Sequence, residues 1–151
     1  MRKRLMLAAG IFAVFVLLIV ATSSIGGTDQ KTPRHTADSF AKAFVKGDAK
    51  TIYSLFTPGE ALDNPLKSDG SSELQVYIAK EGTLFKGNAP LFSRTYVSDT
   101  YPTSGFTIAE YDLTDTSNNK YTLSVVLLQQ PATSGSVWDV ADYSITQKDT
   151  N

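Results

Sequence analysis

The sequence predicts an α+β domain behind an N-terminal transmembrane helix, with two or three helices packed on a curved, cone-like, four-stranded antiparallel sheet. Three observations support this fold class. An apolar run fills Leu5–Ala21, apolar residues recur at helical spacing after Thr36, and β-branched and aromatic residues dominate after Pro90. Helical segments followed by a run of strands are typical of a layered α+β domain.

Residues 1–25 predict a membrane anchor. Met1–Arg4 carries three cations, and no charged residue interrupts the apolar run that follows. A helix continued to Ile25 reaches about 30 Å at roughly 1.5 Å per residue, which just spans a hydrocarbon core. The positive flank predicts a cytoplasmic N-terminus and an extracytoplasmic remainder. The alternative is a cleaved signal peptide and a secreted domain, because Ala21–Ser23 resembles a small-residue cleavage signal.

The remainder is expected to divide into a linker over residues 26–35, one extracytoplasmic domain over 36–147 and a tail over 148–151. The chain contains no Cys, so this domain must be stabilised by packing without disulfides. After the first four residues, 11 Lys and Arg stand against 15 Asp and Glu, a net charge of about −4. Nucleic acid is therefore not an expected partner, since its binding requires clustered cations.

The first helix of the domain is expected to have Thr36 as its N-cap and to end at Gly47, which readily adopts the left-handed conformation of a helix end. Its apolar residues share one face: Ala37, Phe40, Ala41, Phe44 and Val45. Asp48 is expected to cap a second short helix whose core-facing residues are Ile52, Leu55 and Phe56. Thr57–Glu60 has the pattern of a capping box and predicts another brief helical turn.

A further helix is predicted over Ser72–Glu81. Ser72 and Gln75 have capping-box spacing, and Leu74, Tyr77 and Ile78 supply apolar residues. The alternation of Leu74–Ile78 also fits a strand. The helix-favouring residues Ala79–Glu81 decide the prediction for a helix.

Four strands are predicted after Pro90, joined by short polar turns. They are placed near Leu91–Tyr101, Phe106–Asp115, Lys120–Gln130 and Val137–Thr146. Turns this short join neighbouring strands, so we expect an antiparallel meander. The third strand is apolar on both faces at its far end, which predicts a central position in the sheet.

Two segments resemble the nuclear transport factor 2-like (cystatin-like) superfamily. One is the helix, Gly-Asp break and second helix, with matching positions at Phe40, Phe44, Gly47, Asp48, Tyr53, Leu55 and Phe56. The other is Trp138–Val140, which is similar to the last strand of small bacterial extracytoplasmic members. The resemblance covers nearly all of residues 36–147, and these motifs are signals of fold rather than of catalysis.

The resemblance implies a cone-shaped pocket between sheet and helices. Its expected aromatic lining is Tyr53, Tyr77, Tyr111 and Trp138. Some superfamily members place an acidic base in the pocket, and the strand carboxylates that could serve are Asp99, Glu110, Asp112, Asp139 and Asp142. The alternation of the second strand places Glu110 and Asp112 on a solvated outer face instead.

No catalytic, cofactor or metal residues are expected from the sequence. The single His35 lies in the predicted linker, and no His, Asp or Glu cluster has metal-ligand spacing. The predicted function is therefore non-catalytic: protein interaction or assembly, with possible self-association, by a domain tethered at the cell envelope. The alternative is a binding module that takes a small ligand or envelope component in the cone pocket.

Overall fold

The computed structural model describes residues 32–58, 65–68, 70–97, 106–132 and 135–149. The predicted transmembrane segment lies outside these residues, as does most of the Thr57–Glu60 capping box. Within the described ranges, no helix has the length and apolar character needed to cross a bilayer. The helices are α1 (Pro33–Lys46), α2 (Ala49–Leu55) and α3 (Glu73–Gly82), and a 3₁₀ turn (Thr83–Phe85) follows α3.

Helix α1 begins four residues before the predicted start. Thr32 is the N-cap, and its hydroxyl accepts a hydrogen bond from the His35 backbone N–H. The prediction of Thr36 as N-cap was wrong, because Pro33 at the first helical position already favours helical geometry there. The last residues of the predicted linker therefore form the first turn of α1. The predicted end is confirmed, since Gly47 adopts a left-handed conformation with φ of 70°.

The caps predicted for the two shorter helices are confirmed. Asp48 accepts a hydrogen bond from the Thr51 backbone N–H at 3.1 Å, and Ser72 accepts one from the Gln75 N–H at 3.4 Å. The face that α3 buries, however, is not the face that its apolar residues predict. Gln75 is buried and Tyr77 is 53% exposed.

The sheet is the predicted four-stranded antiparallel meander, in the order β1-β2-β3-β4. Its strands are β1 (Leu91–Val97), β2 (Phe106–Thr114), β3 (Lys120–Ala132) and β4 (Gly135–Gln147). The α+β class is thus confirmed, with three helices and this sheet in the described residues. The predicted central position of β3 is also confirmed, since β3 pairs with a strand on each side.

The core lies between α1 and the sheet face formed mainly by β2, β3 and β4. Phe40 and Phe44 of α1 are fully buried, as the helical stripe predicts. Their rings lie 6.1 Å apart, and the ring of Tyr143 on β4 lies 5.7 Å from Phe40 and 5.8 Å from Phe44. Aromatic pairs at these separations contribute beyond the area they bury. They attach α1 to the last strand of the chain.

A β-bulge in β4 keeps the inner face of the sheet apolar. Leu127 pairs with Val140, but the preceding Val126 pairs with Asp142, so Ala141 is an extra residue in β4. An extra residue reverses the alternation of side chains beyond it. Val140 therefore shares the inner face with Tyr143, although three positions separate them in the chain.

Candidate functional site

A polar cluster joins the start of α1 to the sheet. The Asp38 carboxylate accepts a hydrogen bond from the Tyr111 hydroxyl at 2.6 Å and another from Arg34 Nε at 2.8 Å. Arg34 and Asp38 lie one helical turn apart, so their side chains meet on one face of α1. Tyr111 reaches them from β2, where its ring is only 2% exposed.

The aromatic side of this cluster involves β1. The Arg34 guanidinium lies over the Phe92 ring, 3.3 Å from its centroid. The Phe92 ring in turn meets Tyr111 edge-on, with centroids 5.7 Å apart. A cation over an aromatic face contributes roughly 0.5–1 kcal/mol at an exposed site. These contacts connect α1, β1 and β2.

The chemistry of this cluster favours a fixed structural link. Burial raises the pKa of Tyr111, and its hydrogen bond to Asp38 raises that pKa further. The hydroxyl is therefore protonated at neutral pH and acts as a donor. The Asp38 carboxylate already accepts from two donors, so both groups are engaged in holding α1 against the sheet.

A second tyrosine, the partly buried Tyr143, connects β4 to α3. The Tyr143 hydroxyl donates a hydrogen bond of 2.6 Å to Glu81, and burial raises the pKa of Tyr143, with the Glu81 contact adding to the effect. The Thr36 hydroxyl donates to the backbone carbonyl of Trp138 at 3.0 Å. Thr36 therefore anchors α1 to β4 instead of capping the helix.

The four aromatic residues predicted to line a pocket occupy different environments. Tyr111 is in the core, whereas Tyr77 is 53% exposed on α3. Tyr53 on α2 and Trp138 on β4 are half-buried. The cleft described below, between α1 and the segment before β1, is lined by none of them. Their joint role as a pocket lining remains a prediction.

The strand carboxylates considered as bases lie apart from one another. Glu110 faces outward. Its carboxylate accepts a hydrogen bond from Arg94 Nε at 2.7 Å and another from the Tyr96 hydroxyl at 3.1 Å. The Arg94 contact holds the pKa of Glu110 below its usual range. Asp112 pairs with Lys148 at 2.7 Å. Both therefore lie on the outer face, as the strand alternation predicts.

The remaining candidates do not form a group with these carboxylates. Asp139 is buried on β4, Asp142 is exposed at the bulge, and Asp99 lies outside the described residues. His35 is exposed in the first turn of α1. Among the residues that the structure describes, no group of three His, Cys, Asp or Glu side chains could hold a metal ion.

Strand β1 exposes apolar side chains at both of its ends, on either side of the polar residues Ser93–Thr95. Leu91 is 66% exposed and Val97 is 67% exposed, and Phe92 and Tyr96 are also exposed. Every residue of the strand falls in the exposed class. The other three strands each bury side chains against the helices. We call these four side chains, Leu91, Phe92, Tyr96 and Val97, the β1 edge surface.

The two edges of the sheet differ in how they are covered. At the β4 edge, Phe56 forms a parallel bridge with Val140, and the Thr57 N–H donates to the Val140 carbonyl at 3.0 Å. Strand β1 pairs with β2 on one side. On its other side, the described part of the chain supplies no strand. Among the residues that the structure describes, β1 therefore has no covering segment on its outer side.

Neither the β1 edge surface nor the cluster of Arg34, Asp38, Phe92 and Tyr111, which we call the Asp38 cluster, was predicted from the sequence. The spacing of Arg34 and Asp38 is a recognisable ion-pair signal on a helix. The partner Tyr111 lies 73 positions away, and only the packing of α1 on β2 brings it close. The exposure of β1 depends on how far α1 reaches across the sheet, which no local pattern records.

Comparison of the chain with protein-family models, with curated proteins and with solved structures finds no match. The resemblance to the nuclear transport factor 2-like superfamily therefore stays a prediction.

Proposed function

We propose that this chain is a membrane-tethered, non-catalytic domain that acts in protein interaction or assembly on the extracytoplasmic side of the membrane. The tether is the apolar segment in residues 1–25, whose preceding cations orient the chain. The observation that carries the interaction role is the β1 edge surface. It combines an open strand edge with exposed apolar side chains.

An open apolar edge is unusual in a domain that works alone. Natural sheets protect their edges with Lys, Pro, inward-pointing charges or covering segments, because unpaired strands associate. Strand β1 reads LFSRTYV and contains neither Lys nor Pro, and its own protection is a register irregularity between Phe92 and Arg94. Its one charged residue, Arg94, is engaged by Glu110 of the same sheet at 2.7 Å. Strand addition by a protein partner or a second copy would satisfy the edge and cover its apolar residues.

The proposed kinship with the nuclear transport factor 2-like superfamily belongs to the same interpretation. Register shifts near Phe92 and Val126 mark irregularities in two of the strand pairs. Bulges bend and twist a sheet, so they support the curved, cone-like form that the resemblance implies. A ligand pocket in that cone is the alternative function, supported by the half-buried rings of Tyr53 and Trp138.

The interaction role is tested by placing a charge on the β1 edge surface of the full chain. Val97→Lys is expected to lower the mass of the complex recovered from membranes in mild detergent, measured by size exclusion with light scattering. Val76→Lys is the matched control, because Val76 is also an exposed valine but lies on α3. A mass that stays equal in wild type and Val97→Lys would contradict the proposal.

A further inference from the structure

A cleft of about 460 Å³ opens between the second half of α1 and the segment just before β1. Lys42, Val45 and Lys46 form its wall on the helix, and residues 86–90 form the opposite wall. Its volume falls within the range of roughly 300–1,000 Å³ typical of small-ligand sites. The cleft involves neither the β1 edge surface nor the Asp38 cluster.

The cleft gathers positive charge in a chain that is otherwise acidic. Lys42 and Lys46 face it from α1, and Lys86 faces it from the opposite wall. Each of these lysines is exposed, and none is among the four ion pairs found in the described ranges. Like charges four residues apart on a helix repel each other. Lys46 lies close enough to Asp48 to help lower the pKa of that carboxyl, whereas Lys42 and Lys86 have no ion-pair partner among the described residues. The cleft therefore keeps cations that can meet an anion from outside the chain.

The wall opposite α1 is held in place by hydrogen bonds. The Asn88 side chain donates to the Thr114 carbonyl of β2 at 2.8 Å, and the Asn88 backbone N–H donates to the Phe85 carbonyl at 3.1 Å. The Lys86 N–H donates to the Thr83 carbonyl at 3.2 Å. A ligand would thus meet a formed cleft and would not have to order it.

The interior of the cleft is largely apolar. Val45 is 7% exposed and contributes its side chain to the core as well as to the cleft, and Ala89 and Pro90 lie across from it. Lysine stems add methylene groups while their ammonium groups stay in water. A free inorganic anion would leave these apolar walls uncovered. A ligand with both a charged group and an apolar body would use the whole site.

We infer that this cleft binds a small organic anion, in which a phosphate or carboxylate meets the three lysines and an apolar body covers Val45, Ala89 and Pro90. The inference is independent of assembly through β1. The site offers cations and apolar contact but involves no bond-breaking step.

The test uses the full chain in a nonionic detergent with 4-fluorophenyl phosphate as the probe, observed by broadening of its ¹⁹F signal. Wild type is expected to bind it in a salt-sensitive manner, since exposed charges are screened by added ions. Lys42→Gln/Lys86→Gln removes one cation from each wall and is expected to weaken binding roughly tenfold or more. Lys50→Gln/Lys80→Gln removes two exposed lysines from outside the cleft and is the matched control.

Further ligands separate the contributions of charge and apolar body. 4-Fluorophenylacetate is expected to bind through its carboxylate, whereas neutral 4-fluorobenzyl alcohol is expected to bind at least tenfold more weakly than the phosphate. Inorganic phosphate is expected to compete poorly. Equal binding by wild type and Lys42→Gln/Lys86→Gln would overturn the inference. Equal losses in the two double variants would also overturn it, because they would show a general charge effect.

Discussion

Gly82 of α3 lies against the backbone of Phe44 in α1 with no room for a side chain. A Cβ added to Gly82 would overlap the Phe44 carbonyl group. The close approach of α1 and α3 therefore depends on glycine at this position, and it brings α3 near enough for Glu81 to receive the Tyr143 hydroxyl.

Gly82→Ala is expected to destabilise the domain. In an unconstrained helix this change stabilises by up to about 1 kcal/mol. Here the backbone of Phe44 must shift, and overpacking of this kind costs about 1–3 kcal/mol. Urea unfolding followed by circular dichroism measures the change, with Lys80→Ala on the exposed side of α3 as control. A higher midpoint for Gly82→Ala would show that the two helices are not in close contact.

Gln75→Met is expected to stabilise the domain. Gln75 is 1% exposed, and neither polar atom of its side chain has a hydrogen-bond partner among the residues that the structure describes. A buried polar group without a partner costs about 1–3 kcal/mol, and Met has similar size without that requirement. The free energy of unfolding of Gln75→Met should therefore rise by about 1–3 kcal/mol. Gln129→Met, at an exposed position of β3, should change it by less than about 0.5 kcal/mol. A loss of stability in Gln75→Met would contradict the absence of a partner.

Stability is expected to fall steeply as the pH rises above about 10. Burial raises the pKa values of Tyr111 and Tyr143, so both hydroxyls remain protonated in the folded state above their ordinary value of 10.0. The unfolded chain releases those protons from about pH 10 upward. Proton release then favours unfolding by up to about 1.4 kcal/mol per pH unit for each tyrosine.

The tyrosine variants measure this linkage directly. Tyr111→Phe and Tyr143→Phe should each lower stability at pH 7, by about 1 kcal/mol for the lost hydrogen bond. Each should also reduce the steepness of the fall between pH 10 and pH 11.5, and the double variant should reduce it most. An unchanged slope in the double variant would mean that neither hydroxyl is held protonated by the fold.

The local signals in the sequence predicted most of the fold. The Phe40 and Phe44 stripe, the Gly47 end and the Asp48 cap each depend on neighbours within about one helical turn. The meander was predictable because short polar turns restrict which strands can pair. The residues that predict the fold, such as Phe40 and Phe44, are buried in the core. They therefore carry little information about function.

One missed feature was local, because Pro33 after Thr32 signals the earlier start of α1, whereas the Thr36 hydroxyl bonds β4. The other missed features depend on contacts across the chain. The inward position of Gln75 depends on where α3 packs. The bulge at Ala141 is invisible in the sequence until β3 and β4 are paired. The β1 edge surface, and the cleft between α1 and the segment before β1, likewise depend on how the elements pack together.

The membrane tether proposed for residues 1–25 is expected to resist extraction. Sodium carbonate should leave the full-length chain in the membrane pellet, because a helix inserted across the bilayer is not held by surface charge. The double variant Val14→Arg/Val16→Arg places two cations in the apolar run. It should appear in the soluble fraction. A mature wild-type form beginning near Ser24 would show instead that the segment is a cleaved signal peptide.

Thr95→Cys tests the central claim most directly, because the chain contains no other Cys. Thr95 lies in the middle of β1, and Lys50→Cys on α2 is the exposed control. In intact cells, a membrane-impermeant crosslinker with one maleimide arm and one amine-reactive arm should join Thr95→Cys to a second copy or to a partner protein, and a membrane-impermeant maleimide added first should prevent this product. Lys50→Cys should give no such product. If Thr95→Cys stays monomeric, or if the maleimide fails to reach it, the account of an extracytoplasmic domain that associates through β1 is contradicted.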